Sequence, residues 1–221
     1  MKLSSDTITI LKNFADINDN LMIKPGNMLK TVHVPPTIYG EAQVGEVFDK
    51  FFGIYNLKEF LATIAMFKNP DLTFNDEYVE IIDEDDKTIR TKYFSADANI
   101  LTKTPEFKKF PDPSVTFKIT DTNFRRIQRA SSTLQCHDIV IAGSNGKITA
   151  KVCDLSNATK NEFTVILDDQ FAGEDFEVHM KQEKLCIIGG DYNCSLLADN
   201  KIMKAVHTEK NISYLITMDV N

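Results

Sequence analysis

MKLSSDTITILKNFADINDNLMIKPGNML (residues 1–29) sets a helix ahead of a turn between two apolar runs, and that order decides how the rest of the chain is read. Ser4, Ser5 and Asp6 are helix-capping residue types. Behind them Ile8, Leu11, Phe14, Ala15 and Ile17 recur at helical spacing, with Thr9, Lys12, Asn13 and Asp16 on the opposite side. Pro25-Gly26-Asn27 then separates apolar runs at 21–24 and 28–33, which predicts a hairpin. Strands are expected over 37–44 and 47–55. A second helix is expected over 57–67, capped by Asn56, with Leu57, Phe60, Leu61 and Ile64 inward and a stop at Asn69-Pro70. Short strands over 71–74, 78–83 and 88–94 complete this half.

Residues 95–113 change character. Lys103, Lys108, Lys109, Pro105, Pro111 and Pro113 crowd a stretch with little periodicity, so it reads as a connector. The order of elements then begins again. A strand over 115–119 leads into a helix over 122–134 capped by Asp121, with Phe124, Ile127, Ala130, Ser131 and Leu134 inward. A hairpin turns at Ser144-Asn145-Gly146. Strands at 163–167 and 175–179 precede a short helix over 180–187, stopped by Gly189-Gly190, and three strands close the chain. Each half therefore runs helix, hairpin, two strands, helix, three strands. Internal repeats of this kind set architecture, and the expected fold class is α+β. It has two repeated domains, each with two helices on antiparallel sheets, at 1–98 and 114–221, joined by the connector 99–113.

Charge is distributed unevenly. The 221 residues carry a net charge of −7, yet TNFRRIQRASSTL (122–134) holds Arg125, Arg126 and Arg129 and no acid. A weaker basic patch lies at 180–187, where Lys181 and Lys184 outnumber Glu183. Such separation suits a protein that meets a polyanion on one surface and repels it elsewhere. Arg125 and Arg129 are four apart and Arg126 and Arg129 three apart, so all three share a helix face suited to phosphate. Lys12 and Lys58, on the first-half helices, are further candidates, each equally readable as a solubilising surface lysine.

Catalytic and metal patterns are sparse. His33, His137, His179 and His207 form no H-x-x-x-H or H-E-x-x-H pair, so no zinc site is expected. The carboxylates of Asp83, Glu84, Asp85 and Asp86 match no calcium loop and read as a solvated turn. The chain has no G-x-S-x-G, and Ser144-Asn145-Gly146-Lys147 lacks the first glycine of a P-loop. Cys136, Cys153, Cys186 and Cys194 show no C-x-x-C spacing and read as reduced thiols, so neither cofactor nor metal is expected. Mean hydropathy is −0.21, and no apolar run reaches the roughly 18 residues that span a bilayer. Asp6 and Lys12 interrupt the opening residues, which argues against a secretory signal.

The opening MKLSSDTITILKNFADINDNLMIKPGNML resembles the start of the sliding clamps of T-even-type bacteriophages, the processivity factors of their DNA polymerase. The helix-hairpin-strand order after Asp121 is similar to the second domain of such clamps. The resemblance implies a DNA-clamp fold related to PCNA. It also implies a homotrimeric ring of pseudo-sixfold symmetry that encircles duplex DNA without reading its sequence, with helices lining the hole. On that basis Lys12, Lys58, Arg125, Arg126, Arg129, Lys181 and Lys184 are the DNA-facing candidates. The implied partners are the C-terminal peptide of the polymerase, a separate ATP-driven clamp loader and late-transcription factors, met in the cytoplasm of an infected bacterium. Phe107 and Phe110, apolar residues of the connector, either receive a partner peptide or pin the connector to the core. Two other functions stay open at this point: a metal-dependent hydrolase using the carboxylates at 83–86, and a structural ring protein that never meets DNA.

Overall fold

The computed structural model describes residues 1–106, 110–197, 199 and 201–219. The chain divides into two compact units, Met1–Glu106 and Phe107–Asn221.

In the first unit, α1 (Ser5–Ile17) is capped by Ser4, whose side chain accepts from the Thr7 N–H. Glu46 lies over the same end, accepting from the Ser4 N–H and, at 2.5 Å, from the Thr7 hydroxyl. A carboxylate there complements the positive end of the helix. The apolar stripe Ile10, Leu11, Phe14, Ala15 and Ile17 is buried. The expected hairpin does not form between the first two strands. Instead β1 (Leu21–Ile23) pairs antiparallel with β4 (Phe52–Ile54), while β2 (Gly26–Val32) pairs with β3 (Ile38–Phe48). Gly26, at φ 114°, makes the corner that sends the two runs to different partners. The strands expected over 37–44 and 47–55 are likewise redrawn: β3 continues unbroken to Phe48, and the chain breaks at Asp49-Lys50 before β4.

α2 (Leu57–Ala65) begins at Asn56, whose side chain accepts from the Glu59 N–H, and buries Leu57, Phe60 and Ile64. β5 (Pro70–Phe74), β6 (Tyr78–Asp83) and β7 (Arg90–Phe94) form a three-stranded antiparallel sheet with β7 at one edge. Its aromatic side chains lock onto α2 and the neighbouring strands. Phe52 meets Phe74 edge-on at 5.2 Å, and Phe60 meets Tyr93 at 5.1 Å. The Asp83 carboxylate closes the end of β6, accepting from the backbone N–H groups of Lys68, Asn69 and Asp85.

In the second unit, β8 (Val115–Ile119) leads into α3 (Asp121–Leu134). The cap is Thr120 rather than Asp121: its hydroxyl accepts from the Asn123 N–H, and Asp121 is the first helical residue. Phe124, Ile127 and Ser131 are buried, while Ala130 and Leu134 are only half-buried, so the apolar stripe is narrower than expected. Gln135 turns the chain at φ 52°, and Lys160 Nζ donates to its carbonyl at 2.6 Å, a cation at the negative end of the helix.

β9 (Asp138–Ser144) and β10 (Lys147–Cys153) form the expected hairpin around Asn145 and Gly146, both at positive φ. With β11 (Phe163–Asp168) and β12 (Phe176–Lys181) they make a sheet ordered β11-β10-β9-β12. β13 (Tyr192–Leu197), β14 (Ile202–His207) and β15 (Ile212–Thr217) pair in succession, with β8 on the far side of β13. Tyr192 joins this sheet to α3, its ring 6.3 Å from Phe124 and 5.1 Å from His207.

The second helix expected in this half, over 180–187, is absent as such. Met180 and Lys181 finish β12 in register with Ile139 and Asp138, and only a 3-10 turn, Gln182–Leu185, follows. Phe176, Val178 and Met180 alternate into one face, and the few residues left before Gly189 are too few to repay helix nucleation. Among the described residues no helix is long and apolar enough to cross a membrane.

Two stability outcomes follow from these contacts. Phe14→Ala removes a fully buried ring, and urea unfolding should show a loss of about 3–5 kcal/mol. Burial pushes the Asp83 carboxyl up, but its backbone N–H donors outweigh this and hold it below the usual carboxylate range. A depressed folded value stabilises above about pH 4 and is lost as the carboxyl protonates below it. Asp83→Asn should therefore lower stability at neutral pH and flatten the fall in stability below about pH 4, both read by urea unfolding across pH.

Candidate nucleic-acid interface

The exposed side of α3 is a strip of cations and hydroxyls. With Phe124, Ile127 and Ser131 turned inward, Thr122, Arg125, Arg126, Arg129, Ser132 and Thr133 are left in solvent. Arg125 Nε donates to Asp121 Oδ2 at 2.7 Å, which raises its already high pKa. No carboxylate pairs with Arg126 or Arg129 among the described residues. The helix is held at its start by Thr120 and by Asp191, whose Oδ1 accepts the Asp121 N–H at 2.7 Å, and at its far end by Lys160. The strip is therefore a fixed array of donors on a rigid element, with Arg126 and Arg129 open to an anion.

The lysines expected beside it divide. Lys12 is exposed on α1 with no ion pair among the described residues. Lys58, at the first turn of α2, reaches Asp19 at 3.6 Å and lines a polar pocket of about 410 Å³ with Asp16, Asn18, His33 and Thr102. Lys181 is half exposed but donates to Asp138 at 2.6 Å, so much of its charge is answered locally. Lys184 does not belong to an anion-facing surface. Its side chain is 7 % exposed, and Nζ donates to Asp219 at 2.5 Å and to the Thr217 carbonyl at 3.0 Å. A buried ammonium needs such partners, and these lie more than thirty residues further along the chain, where sequence spacing gives no hint of them.

Of the connector phenylalanines, Phe107 lies outside the described residues. Phe110 is half-buried, with Lys204 Nζ 6.0 Å from its ring centroid.

Among the described residues nothing comparable forms around a reactive group. Asp83 is committed to backbone N–H donors, and Asp86 Oδ1 accepts from the N–H and hydroxyl of Thr88. Glu84 is paired with Lys2, and Asp85 with Lys68. The carboxylates at 83–86 are thus each taken up by separate partners and face no common centre, which leaves the hydrolase alternative without support. Among the described residues no group of three or more His, Cys, Asp or Glu is arranged to hold a metal ion. Cys194 borders a pocket of about 480 Å³ with Thr116, Lys118 and Asp168, but burial pushes its thiol up to about 12, far from a reactive thiolate.

The comparisons agree on one family. The family model for DNA polymerase processivity factor matches residues 4–101, and that for gp45 sliding clamp, C terminal, matches residues 116–220. The sliding clamp of Vibrio phage KVP40 is 30 % identical over 202 residues, 89 % of this chain and 90 % of the relative. That of Escherichia phage RB69 is 29 % identical, over all of this chain and 98 % of its own. Among solved structures, PCNA from Entamoeba histolytica matches with a TM-score of 0.68 at 12 % identity, covering 96 % of this chain and 94 % of that one. The Helicobacter pylori beta clamp, bound to a DNA ligase peptide, matches at 0.72 and 12 % identity, covering 99 % of this chain and 65 % of its own. The repeated α+β units thus have the clamp fold, and the chain belongs to the bacteriophage sliding-clamp family, the DNA polymerase processivity factors, which are not enzymes.

Proposed function

We propose that this chain assembles as a homotrimeric ring around duplex DNA and tethers the replicative polymerase to it. The observation that carries the proposal is the α3 strip, exposed arginines on a protein whose net charge is −7. Lys12 and Lys58 extend the DNA-facing set onto α1 and α2, Lys181 contributes at the margin, and Lys184 is excluded by its burial. Contacts of this kind touch the phosphate backbone and carry no sequence information. Enclosure, not affinity, keeps the ring on DNA, so the contacts are few and salt-sensitive. Tethering raises the polymerase concentration at the primer terminus without any catalytic step of the clamp's own.

Ring closure also answers a problem of the fold. β7 and β11 end their sheets, and each exposes a large apolar side chain, Phe94 at 66 % and Ile166 at 49 %. Open apolar edges invite association, and cyclic symmetry satisfies them without open-ended growth. The edge of β12 is a poorer candidate, because Asp219 of the same chain bridges to His179 there. The connector, residues 99–113, is the proposed docking region for the polymerase C-terminal peptide, with Phe107 and Phe110 as its apolar residues. A separate ATP-driven loader opens the ring, late-transcription factors share it as a moving platform, and the setting is the cytoplasm of the infected bacterium.

Light scattering across a concentration series should give a species near three times 25.0 kDa that dissociates on dilution. A persistent monomer would sink the ring. Phe94→Asp or Ile166→Asp should shift that equilibrium to monomer with an unchanged circular-dichroism spectrum. Replacing Arg125, Arg126 and Arg129 together by Gln should keep the trimer but abolish most loader-dependent stimulation of polymerase. Full stimulation by that variant would favour a ring that does not meet DNA through α3.

A further inference from the structure

The three arginines of α3 are not equivalent. Arg125 is turned toward the start of the helix, its Nε on Asp121 Oδ2 at 2.7 Å. Its Nη2 lies against Gly189, 3.5 Å from where a β-carbon on that residue would stand. Asp121 is itself anchored, its N–H on the Asp191 carboxylate and its own carboxylate in the first turn, where the helix favours negative charge. Arg126 and Arg129 have no such tie among the described residues.

We infer that Asp121 is a built-in competitor for DNA phosphate at Arg125, leaving Arg126 and Arg129 to carry the sliding contact of the α3 face. The inference rests on the DNA-facing reading of α3 and deepens it. A phosphate that uses the Nε edge of Arg125 has to displace a carboxylate tethered one helical turn away, whose effective concentration is high. The pair is exposed and therefore weak, so displacement is possible but incomplete, and Asp121 sets how tightly the face grips. Asp121 is thus a positioning residue acting through Arg125.

Counterion release makes this measurable, because each phosphate contact adds about 0.9 to the slope of log affinity against log salt on duplex DNA. The test is binding of the full-length protein to a fluorescein-labelled linear duplex of mixed sequence, in a salt series, as a double-mutant cycle over residues 121 and 125. In the wild-type background Asp121→Asn should steepen the slope by about one contact, and in the Arg125→Gln background it should leave the slope unchanged. Asp121→Ser, equally tolerable at a first helical position, guards against a folding failure of the Asn variant.

Equal steepening in both backgrounds would show Asp121 to be a simple repelling charge and would overturn the inference while leaving α3 as the DNA face. No steepening in either background would overturn it in the same way. An unchanged slope in the variant lacking all three arginines would overturn the DNA-facing reading itself, a distinguishable failure.

Discussion

The seating of helices on strands governs each unit. In the second unit only Phe124 and Ile127 of α3 are large, apolar and buried; the helix packs against β10 and β11, and Phe124 also meets Tyr192 of β13, whose hydroxyl donates to the Ile188 carbonyl. So narrow an apolar stripe leaves most of the helix surface in solvent. It also makes the helix dependent on its ends, and these are secured by Thr120 and Asp191 at the start and by Gln135 and Lys160 at the finish. A wide stripe would have held α3 more firmly at the cost of positions that now carry charge. α1 makes the opposite choice, burying Ile10, Leu11, Phe14, Ala15 and Ile17 and leaving Lys12 as the lone cation on its outer side. Basic surface is therefore concentrated on the helix that packing constrains least.

What is legible in the sequence is what is local. The inward faces of α1 and α2, the Asn145-Gly146 hairpin and the arginine strip all follow from spacing within a dozen residues, and the structure has them, with Ile8 and Leu61 only half-buried. Strand partnership is not local. Residues 21–33 look like a hairpin, yet the partner of Leu21 is Ile54, and only the tertiary fold selects it. The segment 180–187 is ambiguous in kind. Met180, Lys184 and Ile187 fall at helical spacing, but Met180 also completes the alternation of Phe176 and Val178, and pairing with β9 decides for the strand. Lys184 misleads because a lysine is normally solvated, while Asp219, which permits its burial, stands more than thirty residues away. The Asp121–Arg125 pair, by contrast, has an i, i+4 spacing that the sequence displays openly; reading Asp121 as the cap assigns its carboxylate to the backbone and hides the pair.

The same division between local and distant bears on what the protein can do with a charge of −7. Net charge is felt at long range and, at physiological ionic strength, fades within about 8 Å. Inside that distance what matters is which groups face the ligand. Several of the chain's cations are answered nearby: Lys2 by Glu84, Lys50 by Asp76, Lys160 by Asp154, Lys181 by Asp138. Among the described residues, a phosphate at close range meets paired charge at each of these places and guanidinium without a carboxylate partner at Arg126 and Arg129. An overall positive charge would have bound DNA anywhere on the surface, inside a ring or outside it.

The proposed grip, confined to one face and limited in number, also fits a protein that has to move along what it holds. Each additional fixed phosphate contact deepens the well that must be left at every step, and the depth falls with salt in proportion to the number of contacts. A few exposed guanidiniums, one of them shared with a carboxylate of its own helix, would keep that well shallow. In the proposed ring the retention such contacts fail to supply comes from topology, and closure of the trimer would also cover the apolar edges of β7 and β11. In that proposal weak binding and ring closure are two sides of one solution: the surface chemistry of α3 would be inadequate in a monomer, and a ring with a tighter grip would not slide.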